Sequence, residues 1–153
     1  MGRNPLYAGT VLIELYKITN TRFETETHTS GPSLVSETCM CDSGVKFVND
    51  YTMIYSGAPS DNKTRRAHGV AICLDPIATK VWKDSGFEWE AVSERIIKVR
   101  LKCTPIDITV LSVNSPVNPS TKQMASDADK FYHDLQDTIK NVSTNDMLIS
   151  WVI

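Results

Sequence analysis

The sequence predicts a single mixed α/β domain, and three observations support this. The chain has 153 residues, of which 41% are hydrophobic, enough to bury one core. Several short segments either alternate apolar with polar residues or are apolar throughout, as β-strands are. One longer segment carries apolar residues every three or four positions, as an amphipathic helix does. We therefore treat residues 1–153 as one domain, in which residues 1–33 are the least readable.

The first half of the chain contains two predicted strands. "DYTMIYSG" is short, apolar and ends at Gly57, and "HGVAICL" is a second apolar run. Between them, "APSDNKTRR" is polar and is predicted to be a loop. The later segment "VWKDSGFEWE" brings together aromatic side chains that either form a surface patch or cover the core; the sequence leaves both open.

The centre of the chain predicts an antiparallel pair of strands. In "ERIIKVRLKC", one face carries Ile97, Val99, Leu101 and Cys103, and the other carries Lys98, Arg100 and Lys102. This period of two indicates a strand that is wet on one side. "TPID" supplies a turn, and "ITVLSV" is apolar on both faces, as expected inside a sheet that is covered on both sides.

A helix and a final strand complete the prediction. An apolar stripe recurs at three- and four-residue steps, and Ser120 with Gln123 forms a capping box at its start. The stripe consists of Met124, Ala128, Phe131, Leu135, Ile139 and Val142. "MLISWVI" follows as a strand, which indicates a β-α-β crossover whose last strand lies inside a sheet with both faces covered.

Composition excludes several classes of function. The net charge of -2 gives no overall basic footprint for nucleic acid. No apolar run approaches the roughly 20 residues that cross a bilayer, and the N-terminal segment lacks an apolar signal core. We therefore expect no membrane contact and an intracellular location, cytoplasmic or nuclear. The spacing of the four cysteines favours free thiols over a disulfide framework or a zinc site.

Asn114 is the first candidate site residue. It ends the apolar strand in "ITVLSVNSPVNPS", immediately before a loop that contains Pro116 and Pro119. Strand ends that open onto loops commonly carry chemistry, so a polar residue at this tip is a candidate for function.

From Ser36 onward, the order of motifs resembles the endonuclease/exonuclease/phosphatase superfamily. Within it, the chain is similar to the endonuclease domain of non-LTR retrotransposons and to craniofacial development protein 2-like proteins. The matching segments cover roughly residues 34 to 150: "LVSET", "DYTMIYSG", "RRAHGVAICL", "VSERIIKVRL", "ITVLSVNSPVNPST", "FYHDLQDTI" and "DMLIS". The resemblance implies a partial four-layer α/β sandwich with two mainly antiparallel sheets flanked by helices, and a retrotransposon-derived, hydrolase-like ancestry.

The resemblance also implies a metal ligand. In the family, the Glu of the "SET"-like motif binds a divalent metal, usually magnesium (Mg2+), and that residue is Glu37 here. A hard cation prefers carboxylate oxygens, and magnesium typically keeps several waters beside one or two protein ligands. Relatives carry Tyr at the position of Asn114. Asn is shorter and lacks the phenol, which argues against full activity.

Other family motifs are missing from this chain. Relatives follow the crossover strand with Gly-Asp-Phe/Trp-Asn, whereas this chain reads Ser-Trp-Val-Ile at 150–153 and ends. Hydrolysis needs a metal, a base and donors for the developing charge, and losing several of them should abolish turnover. The first expectation is therefore a truncated, inactive relative of a magnesium-dependent endonuclease, with an incomplete sandwich that self-associates through exposed strand edges.

Two alternatives remain open on the sequence. An active nuclease or phosphodiesterase could combine Glu37 with a substitute carboxylate from Asp42, Asp50 or Asp75. A non-catalytic interaction module could instead contact phosphates of nucleic acid through a basic loop, where an ordinary solvated loop is the competing interpretation. That loop carries Lys63, Arg65 and Arg66.

Overall fold

The computed structural model describes residues 33–36, 41–60 and 69–152, which form two sheets and two helices. The first sheet has four strands in the order β1-β4-β3-β2, and every neighbouring pair is antiparallel. Its strands are β1 (Ser33–Ser36), β2 (Ser43–Val48), β3 (Tyr51–Gly57) and β4 (Gly69–Leu74).

The second sheet also has four strands, in the order β5-β6-β7-β8. Its last pair is parallel and the other two are antiparallel. The strands are β5 (Trp89–Ser93), β6 (Ile96–Leu101), β7 (Ile108–Val113) and β8 (Met147–Val152). Helix α1 (Pro76–Asp84) precedes β5, and α2 (Lys122–Lys140) connects β7 to β8. The predicted mixed α/β class with mainly antiparallel sheets is therefore confirmed.

The main core lies between the two sheets. Alternate residues of each strand point inward because side chains in a strand have a period of two. The inward residues are Ile54, Val70, Ile72 and Leu74 from the first sheet and Ile97, Val99, Leu101, Ile108 and Val110 from the second. The predicted apolar face of "ERIIKVRLKC" is thus confirmed as a core face.

Helix α1 closes one side of this core and was not predicted from the sequence. Its signals were nevertheless present: Asp75 caps the helix by accepting a hydrogen bond from the Ala78 amide at 2.7 Å, and Pro76 occupies the first turn. Trp82 lies in the core and donates its indole N–H to the Glu88 carbonyl. Phe87 packs edge-on against it but stays half exposed, so the aromatic segment covers the core on one side only.

Helix α2 covers the outer face of the second sheet. Phe131 and Leu135 pack against side chains of β6 and β7. The predicted helix is confirmed, although its cap is Thr121 rather than Ser120: the Thr121 hydroxyl accepts from the Met124 amide at 3.1 Å. Neither α1 nor α2, the helices in the described part of the chain, is long and apolar enough to cross a membrane.

The crossover is confirmed, but the predicted burial of its last strand is wrong. All six residues of β7 are buried, as expected for a strand covered on both sides. Strand β8, in contrast, is the edge strand of its sheet, and five of its six residues are exposed. The physical reason is that β8 has a neighbour on only one side within the described ranges. Only Ile149 reaches the core.

Candidate functional site

Five strands finish at one end of the sandwich: β1 and β3 of the first sheet and β5, β7 and β8 of the second. In the first sheet, Ser36 at the end of β1 pairs with Val70, and Gly57 at the end of β3 pairs with Gly69. The two sheets are joined at this end by a hydrogen bond of 2.7 Å from the Ser56 hydroxyl to the Ser93 carbonyl. We call this region, where β1, β3, β5, β7 and β8 finish, the carboxyl-terminal end of the sandwich.

Asn114 lies at this end, at the tip of the strand β7. It follows β7 directly, and only 8% of its surface is exposed. Its main-chain N–H donates to the Arg95 carbonyl at 2.9 Å, and its own carbonyl accepts from the Arg95 guanidinium at 3.2 Å. The first bond continues the β6–β7 hydrogen-bond pattern one residue beyond the strand, and the second adds a side-chain contact to the same residue. Asn114 is therefore held rigidly rather than carried on a loose loop.

The pleat of β7 determines which way Asn114 faces. Side chains alternate along a strand, so Asn114 belongs to the same face as Val110 and Ser112. That face is directed toward the first sheet, because Val110 is part of the core between the sheets. Ser112 is completely buried there, and its hydroxyl has no hydrogen-bond partner among the described residues. The strand end that carries Asn114 thus faces the sheet to which β1 belongs.

Arg95 places a cationic group beside this strand end, within hydrogen-bond distance of Asn114. Its partial burial lowers the pKa of the guanidinium, and the nearby carboxylates of Glu94 and Asp127 oppose that shift. Because an arginine remains protonated in proteins, Arg95 provides a fixed positive charge beside the Asn114 carbonyl. The sequence analysis did not select Arg95 as a site residue.

A depression of about 330 Å³ opens at the carboxyl-terminal end between the two sheets. It is lined by Asp42, Ser43, Ser56, Gly57, Pro59, Ala91, Ser93 and Glu94. The backbone of Asp42 is in the left-handed region at φ 61°, and its carboxylate accepts a hydrogen bond from the Ser60 amide at 3.0 Å. Two carboxylates, those of Asp42 and Glu94, therefore line this depression.

The structure separates the three substitute carboxylates that the sequence suggested. Asp42 lies at the carboxyl-terminal end. Asp50 lies in the turn between β2 and β3, at the opposite end of the strands, and Asp75 follows β4 at that same opposite end. A strand of six residues is about 20 Å long, so neither can act together with Asp42. Asp75 is also buried and already used as the cap of α1.

The remaining predicted site residues lie outside the described residues. Glu37 directly follows Ser36, the last residue of β1. Lys63, Arg65 and Arg66 belong to the segment that joins β3 to β4, whose flanking residues Gly57 and Gly69 both lie at the carboxyl-terminal end.

The described residues alone do not fit a magnesium site. Within 41–60 and 69–152, no three His, Cys, Asp or Glu side chains are close enough to hold a metal ion. At the carboxyl-terminal end, the carboxylate of Asp42 is already engaged by the Ser60 amide. A magnesium site would therefore need ligands from outside the described residues, among which Glu37 is the one that the family resemblance selects, and we derive no catalytic step through a metal.

A second polar cluster, which the sequence analysis missed, lies on the helix side of the second sheet. It surrounds Arg100 in a cleft of about 520 Å³. Arg100 forms a two-point interaction with Asp146: Nε to Oδ2 is 2.7 Å, and Nη2 to Oδ1 is 3.0 Å. Asp107 and Glu88 approach the same guanidinium at 3.1 and 3.6 Å. The alternation of Lys98, Arg100 and Lys102 could have indicated one charged face, but not its partners.

This Arg100 cluster is neutralised internally. The side chain of Asp146 is only 1% exposed. Its hydrogen bond with Arg100 lowers the pKa of the carboxyl group, helped by the Thr109 hydroxyl at 2.8 Å, and raises the pKa of Arg100 in turn. Asp146 lies immediately before β8, so the pair ties the start of β8 to β6 across β7. The arrangement suits a structural clamp better than a ligand site.

Comparison of the chain with protein-family models, with curated proteins and with solved structures found no match.

Proposed function

We propose that this protein is a catalytically inactive relative of magnesium-dependent endonucleases of the endonuclease/exonuclease/phosphatase type. The observation that carries the proposal is the meeting of strand ends. The two residues that the family resemblance selects, Glu37 and Asn114, directly follow β1 and β7, and both strands finish at the carboxyl-terminal end of the sandwich. Residues far apart in the sequence thus follow the strand ends that a phosphodiester site of this family uses.

Inactivity is supported by the surroundings of Asn114. Asn114 replaces the family Tyr with a shorter side chain. It is almost entirely buried, and its main-chain N–H and carbonyl are both hydrogen-bonded to Arg95. A donor in that position has little reach toward a scissile phosphate. Loss of a single donor to the developing charge typically costs 10² to 10³ in rate, so combined losses remove detectable turnover.

The test is magnesium-dependent nicking of supercoiled plasmid DNA by the purified chain. We expect the nicked fraction to equal that of a protein-free reaction, with magnesium or with manganese. Nicking that requires the metal and disappears in Glu37→Ala, but persists in Asp50→Ala, would refute inactivity. Asp50 is the matched control because it is an exposed carboxylate at the opposite end of the strands.

The second candidate function is an active metal-dependent nuclease, and one observation favours it. Asp42 is the only one of the three suggested substitutes that lies at the carboxyl-terminal end, where Glu37 follows β1. In this alternative, both carboxylates would hold magnesium. A ligand that binds only the folded state raises stability by about 2.7 kcal/mol at a hundredfold excess over its dissociation constant.

Thermal unfolding with and without magnesium separates the two candidates. An increase in melting temperature with magnesium that is lost in both Glu37→Ala and Asp42→Ala, and kept in Asp50→Ala, would support the second. An unchanged melting temperature would support the first. Contact with nucleic acid through Lys63, Arg65 and Arg66 is part of neither candidate. It would appear as an affinity for a DNA duplex that falls steeply with salt and weakens in Arg65→Ala with Arg66→Ala.

A further inference from the structure

The described edge strands differ in how they are protected against pairing with another chain. Edge strands expose unpaired main-chain groups, and proteins usually protect them by short length, charge or a bulge. Strand β1 has only four residues, β2 carries Lys46, and β5 carries Glu90 and a register shift between Ala91 and Ser93. Each of these three edges therefore has at least one protective feature.

Strand β8 has none of these features. It has six residues, contains no charge and no proline, and follows β7 in an unbroken register from Met147 to Val152. Its large apolar side chains are exposed on both faces: Met147 and Trp151 on the side of the first sheet, Leu148 and Val152 on the side of α2. Its outer edge has no neighbouring strand within the described residues.

We propose that β8 pairs antiparallel with β8 of a second copy of this chain, around a two-fold axis. The second sheets of the two copies then form one continuous sheet of eight strands. The absence of charge makes β8 compatible with a second copy of itself. With no charged side chain from Met147 to Val152, self-pairing sets no like charges against each other, whereas self-pairing of β2 would place the two copies of Lys46 opposite or near each other. A two-fold contact also closes at two chains and does not propagate.

The pleat restricts the register of this pair. Residues directly opposite each other in an antiparallel pair lie on the same face of the sheet. The two-fold axis between the two β8 strands must therefore be level with a residue, and not midway between two residues. With the axis at Ile149, Met147 lies opposite Trp151 of the second copy. With the axis at Ser150, Leu148 lies opposite Val152 of the second copy. Both registers cover exposed apolar side chains.

The contact is small, which sets the expected affinity. A standard stable interface buries roughly 800 Å² on each partner, and one six-residue strand presents less than that. We therefore expect a dissociation constant of about 1 µM for the dimer, which corresponds to a binding free energy near -8 kcal/mol, and not one in the nanomolar range.

The test is sedimentation velocity of the full chain from about 0.1 to about 100 µM, a range that brackets a dissociation constant of about 1 µM. We expect the average mass to rise from monomer toward dimer with concentration. Ser150→Lys, at an exposed position of β8, should remain monomeric because the two new charges meet at or beside the axis. Phe47→Lys, at an exposed position of the β2 edge, is the matched control and should still dimerise.

Several outcomes would overturn the proposal. These are a monomer at every concentration, a dimer that persists in Ser150→Lys, and loss of the dimer in Phe47→Lys. Amide hydrogen exchange provides a readout that needs no variant: protection of residues 147–152 should increase with protein concentration. If protection there stays constant while the mass rises, the contact lies elsewhere and the proposal fails. None of these readouts depends on nuclease activity.

Discussion

Replacement of Asp146 by Asn tests whether the Arg100 cluster is a structural clamp. The carboxylate makes two bonds to the Arg100 guanidinium and accepts one from the Thr109 hydroxyl, with its side chain 1% exposed. Hydrogen bonds to charged groups contribute about 1.5–3 kcal/mol. Arg100 is 30% exposed and keeps Asp107 and Glu88, so it is not left without a counter-charge. We therefore expect Asp146→Asn to lower the free energy of unfolding by about 2 kcal/mol.

The pH dependence of the same variant follows from the direction of the pKa shift. The pKa of Asp146 is lower in the folded state than in the unfolded chain, where it is near 4. Its contribution to stability is therefore complete above the unfolded pKa and is lost as the pH falls through the folded pKa. The difference between wild type and Asp146→Asn should be constant near neutral pH and shrink progressively below about pH 4.

The assay is urea unfolding followed by far-ultraviolet circular dichroism, at neutral and acidic pH. Asp134→Asn is the matched control because Asp134 makes a single (i, i+4) pair on α2 with the exposed Lys130. Exposed pairs of this kind contribute under about 1 kcal/mol, so the control should lose little stability. The interpretation of Arg100 as a clamp is refuted if Asp146→Asn and Asp134→Asn lose the same amount, or if the loss from Asp146→Asn does not diminish in acid.

Three further predictions concern the first sheet and α1. Ile72→Ala, in the centre of the core, should lower the free energy of unfolding in urea by about 2–5 kcal/mol, whereas Phe47→Ala at the exposed edge should lower it much less. Similar losses in the two variants would contradict the placement of Ile72 in the core. Asp75→Ala should cost about 0.5–2 kcal/mol through loss of the α1 cap, and no loss would argue against the capping role. Desolvation raises the pKa of the half-buried Cys73 thiol to about 12, so at pH 8 mass spectrometry should find its alkylation far slower in the folded chain than in urea; equal rates would contradict this shift.

The elements that the sequence predicted correctly have strong local patterns. The apolar residues of β7 and the stripe on α2 are clear because each element packs against a defined surface. Strands β2 and β5 were not predicted, since both lie at sheet edges and mix exposed with half-buried residues. Helix α1 was missed because its nine residues give only a short stripe, despite a cap at Asp75 and a proline in the first turn.

The candidate site was only partly predictable for a similar reason. The sequence selected Asn114 as a polar strand tip, and the structure places it at a buried end where strands of both sheets finish. It could not rank Asp42, Asp50 and Asp75, because distance along the chain does not indicate which end of a strand a residue occupies. It also missed Arg95, whose bond to Asn114 joins residues 19 positions apart.

The sequence by itself determined the class of this protein: a mixed α/β chain with an antiparallel β6–β7 pair and a helical crossover to β8. These features follow from the spacing of apolar residues within short segments, which can be read without knowing any contact between distant parts of the chain. Only the tertiary structure decided which sheet each strand joins, that β8 is an exposed edge, and that Arg100 is shared by three carboxylates. Those features depend on packing and charge contacts between segments far apart in the chain, and no local pattern encodes such contacts.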